Sequence, residues 1–217
     1  MDKASQREES RDNIISDDII TICMSGMLDD GSALIIVDMQ NDFMPGGSLP
    51  VPDADKIIHV INKYIEIFMA KGLPIFASRD WHPPNHISFK QRGGVWPVHC
   101  VRNTLGAKFH QDLKLPRSAI VISKATDPNR EAYSAFDRTE LADRLREKNI
   151  RRVFIAGVAT DYCVKNTALD ALENGFEVIL LEDATKGLAN SLSAIEEMKA
   201  KGVKMMRLEQ FIAVKNR

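Results

Sequence analysis

The sequence predicts an α/β protein: three layers, α/β/α, built on a mostly parallel six-stranded sheet with helices on both faces. Short, continuous apolar runs recur along the chain, and segments of helical period lie between them. A strand buried on both faces needs unbroken apolar sequence, and parallel neighbours need a crossover, which an amphipathic helix supplies with right-handed connection. At 217 residues, with 44% hydrophobic and 27% charged side chains, the chain suffices for one such domain and is ordinary for a soluble one.

Residues 1–30 are set apart as an N-terminal extension to which no fixed structure is assigned, and residues 31–217 as the domain. The extension carries eight acidic and three basic side chains. Its one apolar cluster, Ile19 to Met24, reads as an edge strand, an interface segment, or nothing fixed. Ala33 to Val37 is the first strand and ends in Asp38. From Asp55 to Lys71, Ile57, Ile58, Ile61, Tyr64, Ile65 and Phe68 recur at helical spacing, and Gly72 stops the helix. Leu73 to Ser78 is the second strand and Ala119 to Ser123 the third. Asp137 with Glu140 reads as a capping box for a helix containing Leu141 and Leu145. Val153 to Ala156 is the fourth strand, and a helix from near Asp161 is closed by Asn174-Gly175. Phe176 to Leu181 is the fifth strand, Ser193 with Glu196 a second capping box, and Val203 to Met206 a weaker sixth strand.

In open parallel sheets ligands bind beyond the carboxyl ends of the strands. Strand ends therefore supply the candidates: Asp38, Asp80, Lys124, and the turn from Gly157 to Cys163. Singly, each has a bland reading: a turn aspartate, a solvated lysine, a small buried cysteine. Their common position at four strand ends favours a site. A thiol in the first turn of a helix meets unpaired N–H groups and the helix dipole, which favour thiolate, and Lys124 would add to this. Asp38 could take the thiol proton and return it to a leaving group. Backbone N–H groups of the Gly157 to Cys163 turn could serve a developing oxyanion.

A second concentration of chemistry lies between the second and third strands. Three of the five histidines and both tryptophans fall in Arg79-Asp80-Trp81-His82-Pro83-Pro84-Asn85-His86 and Trp96-Pro97-Val98-His99-Cys100. Asp and His two residues apart at a strand end can reach one cation, which suits a three-ligand metal site with an open position. His59 and His110 are read as structural. Cys100 is read as packed, because neighbours on extended chain point apart.

The charge balance excludes other classes. Acidic and basic side chains number 30 and 29 and are interspersed, so no basic face invites nucleic acid or anionic lipid. No apolar run approaches the roughly 18 residues of a membrane span, and no signal peptide is recognisable. Three scattered cysteines are no disulfide framework, which fits the cytoplasm. The assembly state stays open, a homo-oligomer included.

The segments ALIIVDMQNDF with the following PGGSLPV, DWHPPNH, WPVHC and GVATDYC occur in this order. From about Ala33 to about Ile212 the chain resembles the nicotinamidases (pyrazinamidases) of the isochorismatase-like cysteine hydrolase superfamily. The resemblance implies that superfamily's fold and an amidohydrolase that converts nicotinamide to nicotinate and ammonia in NAD salvage, through a cysteine thioester. It implies a catalytic triad of Asp38, Lys124 and Cys163, and metal ligands Asp80, His82 and His99, with His86 auxiliary near the metal. It also implies an aromatic enclosure of Phe43, Trp96 and Tyr133 and a cis peptide between Val158 and Ala159. The Ala159 and Cys163 N–H groups would then face the oxyanion. The cofactor would be one divalent metal ion positioning the pyridine ring, zinc first, with iron(II) or manganese also suited to Asp and two His. Met24 and Met27 stand where a nicotinamidase-like chain could begin. A related cysteine amidase or carbamoyl hydrolase is the nearer alternative. A non-catalytic metal-stapled binding protein is the farther one, disfavoured because a staple does not call for Asp38, Lys124 and Cys163.

Overall fold

The computed structural model describes residues 28–212, so the Ile19 to Met24 cluster lies outside the described residues. Six strands, β1 (Ser32–Val37), β2 (Ile75–Asp80), β3 (Ile120–Lys124), β4 (Arg152–Val158), β5 (Glu177–Lys186) and β6 (Lys204–Met206), form one sheet. Its order is β3-β2-β1-β4-β5-β6, and every pairing is parallel. Among the described residues five α-helices accompany it: α1 (Ile58–Ala70), α2 (Leu141–Glu147), α3 (Lys165–Glu173), α4 (Ser191–Ala200) and α5 (Leu208–Ile212). The predicted architecture is thus present. None of these helices is long and apolar enough to cross a membrane.

β1 explains the three layers. All six of its residues are buried, and successive side chains face opposite ways. Ala33, Ile35 and Val37 join Leu141 and Leu145 of α2, Ala168 and Ala171 of α3 and Met198 of α4. Leu34 and Ile36 join Ile58, Ile61, Tyr64, Ile65 and Phe68 of α1 and Phe211 of α5. The order reverses between β1 and β4, so the chains leaving those two strands diverge and open a crevice. Gly157 makes the close approach there possible. Its φ is +115°, and a Cβ would lie 2.0 Å from the Val37 carbonyl oxygen.

Several boundaries differ from the sequence reading. β2 begins at Ile75 because Pro74 has no N–H and the Leu73 N–H closes α1 on the Phe68 carbonyl. Its end at Asp80 is the one expected, since polar Arg79 and Asp80 still pair with Ser123 and Lys124. β5 continues through polar Glu182 to Lys186, rejoining β4 after a register shift. Neither expected capping box forms. Asp137 pairs with Arg130, and Thr139 Oγ1 accepts the Leu141 N–H instead. α4 starts at Ser191, ahead of Ser193, because the Asp161 carboxylate accepts the N–H groups of Leu188, Ala189 and Asn190.

Phe154 of β4 is fully buried, edge-on to Phe68 at 5.4 Å and tilted against Phe211 at 5.7 Å. Phe154→Ala should cost about 3–5 kcal/mol, read as a lower denaturant midpoint at unchanged slope. At the opposite sheet end from the crevice, Glu177 accepts from Arg152 Nε (2.7 Å) and Lys204 Nζ (2.6 Å). Lys204, chiefly, holds its carboxyl below the usual range. A depressed carboxyl contributes stability above its unfolded value of about 4.3 and loses it as pH falls through the folded value. Glu177→Gln should therefore cost no more than about 1 kcal/mol at neutral pH. That difference should vanish in acid, as urea denaturation at the two pH values would show.

Candidate active site

The ends of β1, β2, β3 and β4 bring Asp38, Asp80, Lys124 and Cys163 together, as the sequence predicts. Asp38 is fully buried with φ +52°. Its Oδ1 accepts the Ser78 hydroxyl at 2.7 Å, and its Oδ2 lies 2.9 Å from Lys124 Nζ. The Lys124 ammonium also donates to Asp80 Oδ1, to the Ala132 carbonyl at 3.4 Å and toward Cys163 Sγ at 3.3 Å. Register does the placing: Asp80 and Lys124 are paired partners on β2 and β3.

Burial pushes the Asp38 carboxyl upward, and Lys124 opposes this only in part. Burial also works against the Lys124 ammonium, but Asp38 and Asp80 outweigh it and hold Lys124 well above the usual lysine range. Burial, aided by the same carboxylates, pushes the Cys163 thiol well up despite Lys124. This corrects the sequence expectation. Helix terminus and lysine do not win: desolvation beside two acidic groups keeps the proton on sulfur. Asp38, with a carboxylate oxygen within 4.8 Å of Cys163 Sγ, is the carboxylate placed to accept that proton.

On the other side of Asp80, its Oδ2 lies 3.6 Å from His82 Nε2 and 3.9 Å from His99 Nε2. One ligand atom from each of the three residues falls within 4.8 Å of the others. Neither ring nitrogen of buried His82 has a hydrogen-bond partner among the described residues. His99 commits Nδ1 to the Pro97 carbonyl (2.8 Å), which leaves Nε2 for the cluster. Orphaned imidazole nitrogens beside a carboxylate held far below the usual range fit a divalent cation. Asp80, His82 and His99 are therefore a candidate metal-binding group. His86 stands outside it: its ring packs 4.3 Å from that of His82, but its nitrogens engage Ser88 Oγ (2.7 Å) and the Arg130 carbonyl (2.8 Å).

Cys163, Asp80, His82 and His99 line one cleft, with Phe43, Trp96, Tyr133 and Tyr162 around it. Phe43 meets His99 edge-on at 5.7 Å, and Trp96 Nε1–H donates to the Tyr133 hydroxyl at 3.0 Å. The Val158–Ala159 peptide is cis, as expected. Cys100 is buried and His59 exposed, whereas His110 pairs loosely with Asp112 at 3.8 Å.

Sequence reasoning missed several contributors. Ser78 lies two residues before Asp80 on the same strand face, a spacing that could have flagged it. Gln40 gave no such signal. Its Nε2 donates to the Asp80 and Ala107 carbonyls (2.8 and 2.9 Å), and its Oε1 accepts the Asp80 N–H (2.7 Å). Asp42 accepts the Cys100 N–H at 2.6 Å and so steadies the chain beside His99. Glu131, Leu49 and Leu188 also line the cleft.

Residues 32–210 match the isochorismatase domain. The nicotinamidase of Escherichia coli is 39% identical over 201 residues, covering 81% of this chain and 94% of that protein. A crystal structure of the pyrazinamidase of Pyrococcus horikoshii in complex with zinc is 58% identical, with TM-score 0.80, covering 82% of this chain and 99% of that one. The yeast nicotinamidase bound to the inhibitor nicotinaldehyde is 31% identical, with TM-score 0.76, covering 81% and 99%. The chain accordingly belongs to the isochorismatase family, in its nicotinamidase–pyrazinamidase branch.

Proposed function

We propose that this chain is a nicotinamidase, an amidohydrolase releasing ammonia from nicotinamide and leaving nicotinate. One observation carries the reading: the buried Asp38–Lys124–Cys163 cluster is joined to the Asp80–His82–His99 group through the Lys124–Asp80 pair, and Cys163 and that group face one aromatic-walled cleft. The likeness to nicotinamidases named above supports the substrate. Scattered cysteines and interspersed charge support a cytoplasmic protein acting on a small molecule.

Asp38 takes the Cys163 proton as the sulfur attacks the carboxamide carbon. The backbone N–H groups of Ala159 and Cys163 receive the resulting oxyanion. The tetrahedral adduct collapses when Asp38 passes its proton to the amide nitrogen; the C–N bond breaks and ammonia leaves a thioester. Water then gives a proton to Asp38 and attacks the thioester carbon, the C–S bond breaks, and Asp38 returns the proton to sulfur. Lys124 stays charged and compensates whichever of Asp38 or Cys163 carries negative charge. Phe43, Trp96 and Tyr133 hold the ring. Asp80, His82 and His99 would hold a divalent cation, zinc by the Pyrococcus precedent, with iron(II) and manganese as the other candidates. When bound, it supplies an electrophilic anchor for the ring nitrogen.

Cys163→Ala should reduce ammonia release by at least about 10³-fold while nicotinamide still binds by calorimetry; appreciable turnover would rule out the covalent route. His82→Ala should lose most of the bound metal, read by elemental analysis, and raise KM more than it lowers kcat. Stoichiometric metal in that variant would remove His82 from the ligand set.

A further inference from the structure

The cleft has three aliphatic lining residues, Leu49, Ala159 and Leu188. Leu188 belongs to the short connection between β5 and α4, and its position depends on a distant residue. The N–H groups of Leu188, Ala189 and Asn190 all donate to the Asp161 carboxylate, at 2.9, 2.8 and 2.9 Å. One anion thus fixes three consecutive peptides and faces the N-terminus of α4. Gly187 shows how closely the segment is drawn in: a Cβ there would lie 2.3 Å from Ser191 Oγ and 2.7 Å from Asp161 Oδ1. Asp161 sits in the Thr160–Val164 turn that carries Cys163. A single side chain therefore ties the turn bearing the nucleophile to one wall of the ring pocket.

We propose that Leu188 sets the size limit of the ring subsite and that Asp161 is the positioning residue that holds Leu188 there. The inference rests on the nicotinamidase reading and extends it to specificity. With the connection pinned, Leu188 excludes pyridine carboxamides carrying a fused or bulky ring substituent. Freed or shortened, it admits them. Asn at position 161 would present an amide donor to a site of three N–H donors, so Asp161→Asn releases the segment with little change in volume.

The test compares kcat/KM for quinoline-3-carboxamide, a bicyclic relative of nicotinamide, with that for nicotinamide itself. Leu188→Ala should raise the ratio about tenfold or more. Asp161→Asn should move it the same way, raise the nicotinamide KM about tenfold, and change kcat far less. In the double variant the ratio should stay near that of Leu188→Ala, because one residue acts through the other. An unchanged ratio in Leu188→Ala overturns the inference, even if Asp161→Asn fails to fold; additive effects in the double variant overturn the role of Asp161. A wild type that releases no ammonia from nicotinamide overturns the functional reading, and this inference with it. An active wild type whose ratio does not move in Leu188→Ala overturns the inference alone.

Discussion

The ammonium of Lys124 is the interaction on which the rest of the site depends. It is almost fully buried and touches Asp38, Asp80 and Cys163 at once. Removing carboxylates from water costs several kcal/mol each unless they are paired. Here one cation serves two buried carboxylates, and a protonated thiol lies beside them. Two carboxylates against one ammonium leave one negative charge in excess among the described residues. Asp80 gives Oδ1 to Lys124 and turns its second oxygen to two imidazoles whose inward nitrogens have no other hydrogen-bond partner there. Metal-binding group and catalytic cluster are therefore two halves of one charge balance.

Topology makes that balance reachable. A parallel sheet presents all its strand ends on one edge, and the reversal between β1 and β4 opens the crevice there. β2 and β3 contribute paired Asp80 and Lys124, β1 contributes Asp38, and the turn after β4 contributes Cys163. Gly157 lets β4 lie against β1 at the point where the two chains part. Catalytic geometry is thus inherited from strand register, which a packed two-sided core holds rigid.

Legibility in the sequence followed the strength of the physical signal. Buried parallel strands need unbroken apolar runs, so all six were visible, and the strand-end rule located Asp38, Asp80, Lys124 and Cys163. Polar pairing beyond the apolar run was invisible in β5, which is why it extends past its predicted end. Capping failed for a related reason. Local motifs at Asp137 and Ser193 were outcompeted by Arg130 and by the remote Asp161 carboxylate, partners that only the fold supplies. Gln40 acts through three long-range hydrogen bonds of no fixed spacing. The thiol's state was misjudged because desolvation is a property of the closed core rather than of the motif.

That last point changes how the chemistry must be partitioned. A preformed thiolate would make Lys124 the activator and leave Asp38 as a later proton carrier. With the proton held on sulfur at rest, the negative charge in the triad already resides on Asp38, where Lys124 and Ser78 stabilise it. Proton transfer then moves that charge to sulfur and on to the oxyanion without creating a new buried one. Lys124 lies within reach of both Asp38 and Cys163, so it compensates the charge as it passes. A site this dry is workable because net charge is conserved through the step, not because the nucleophile is unusually acidic.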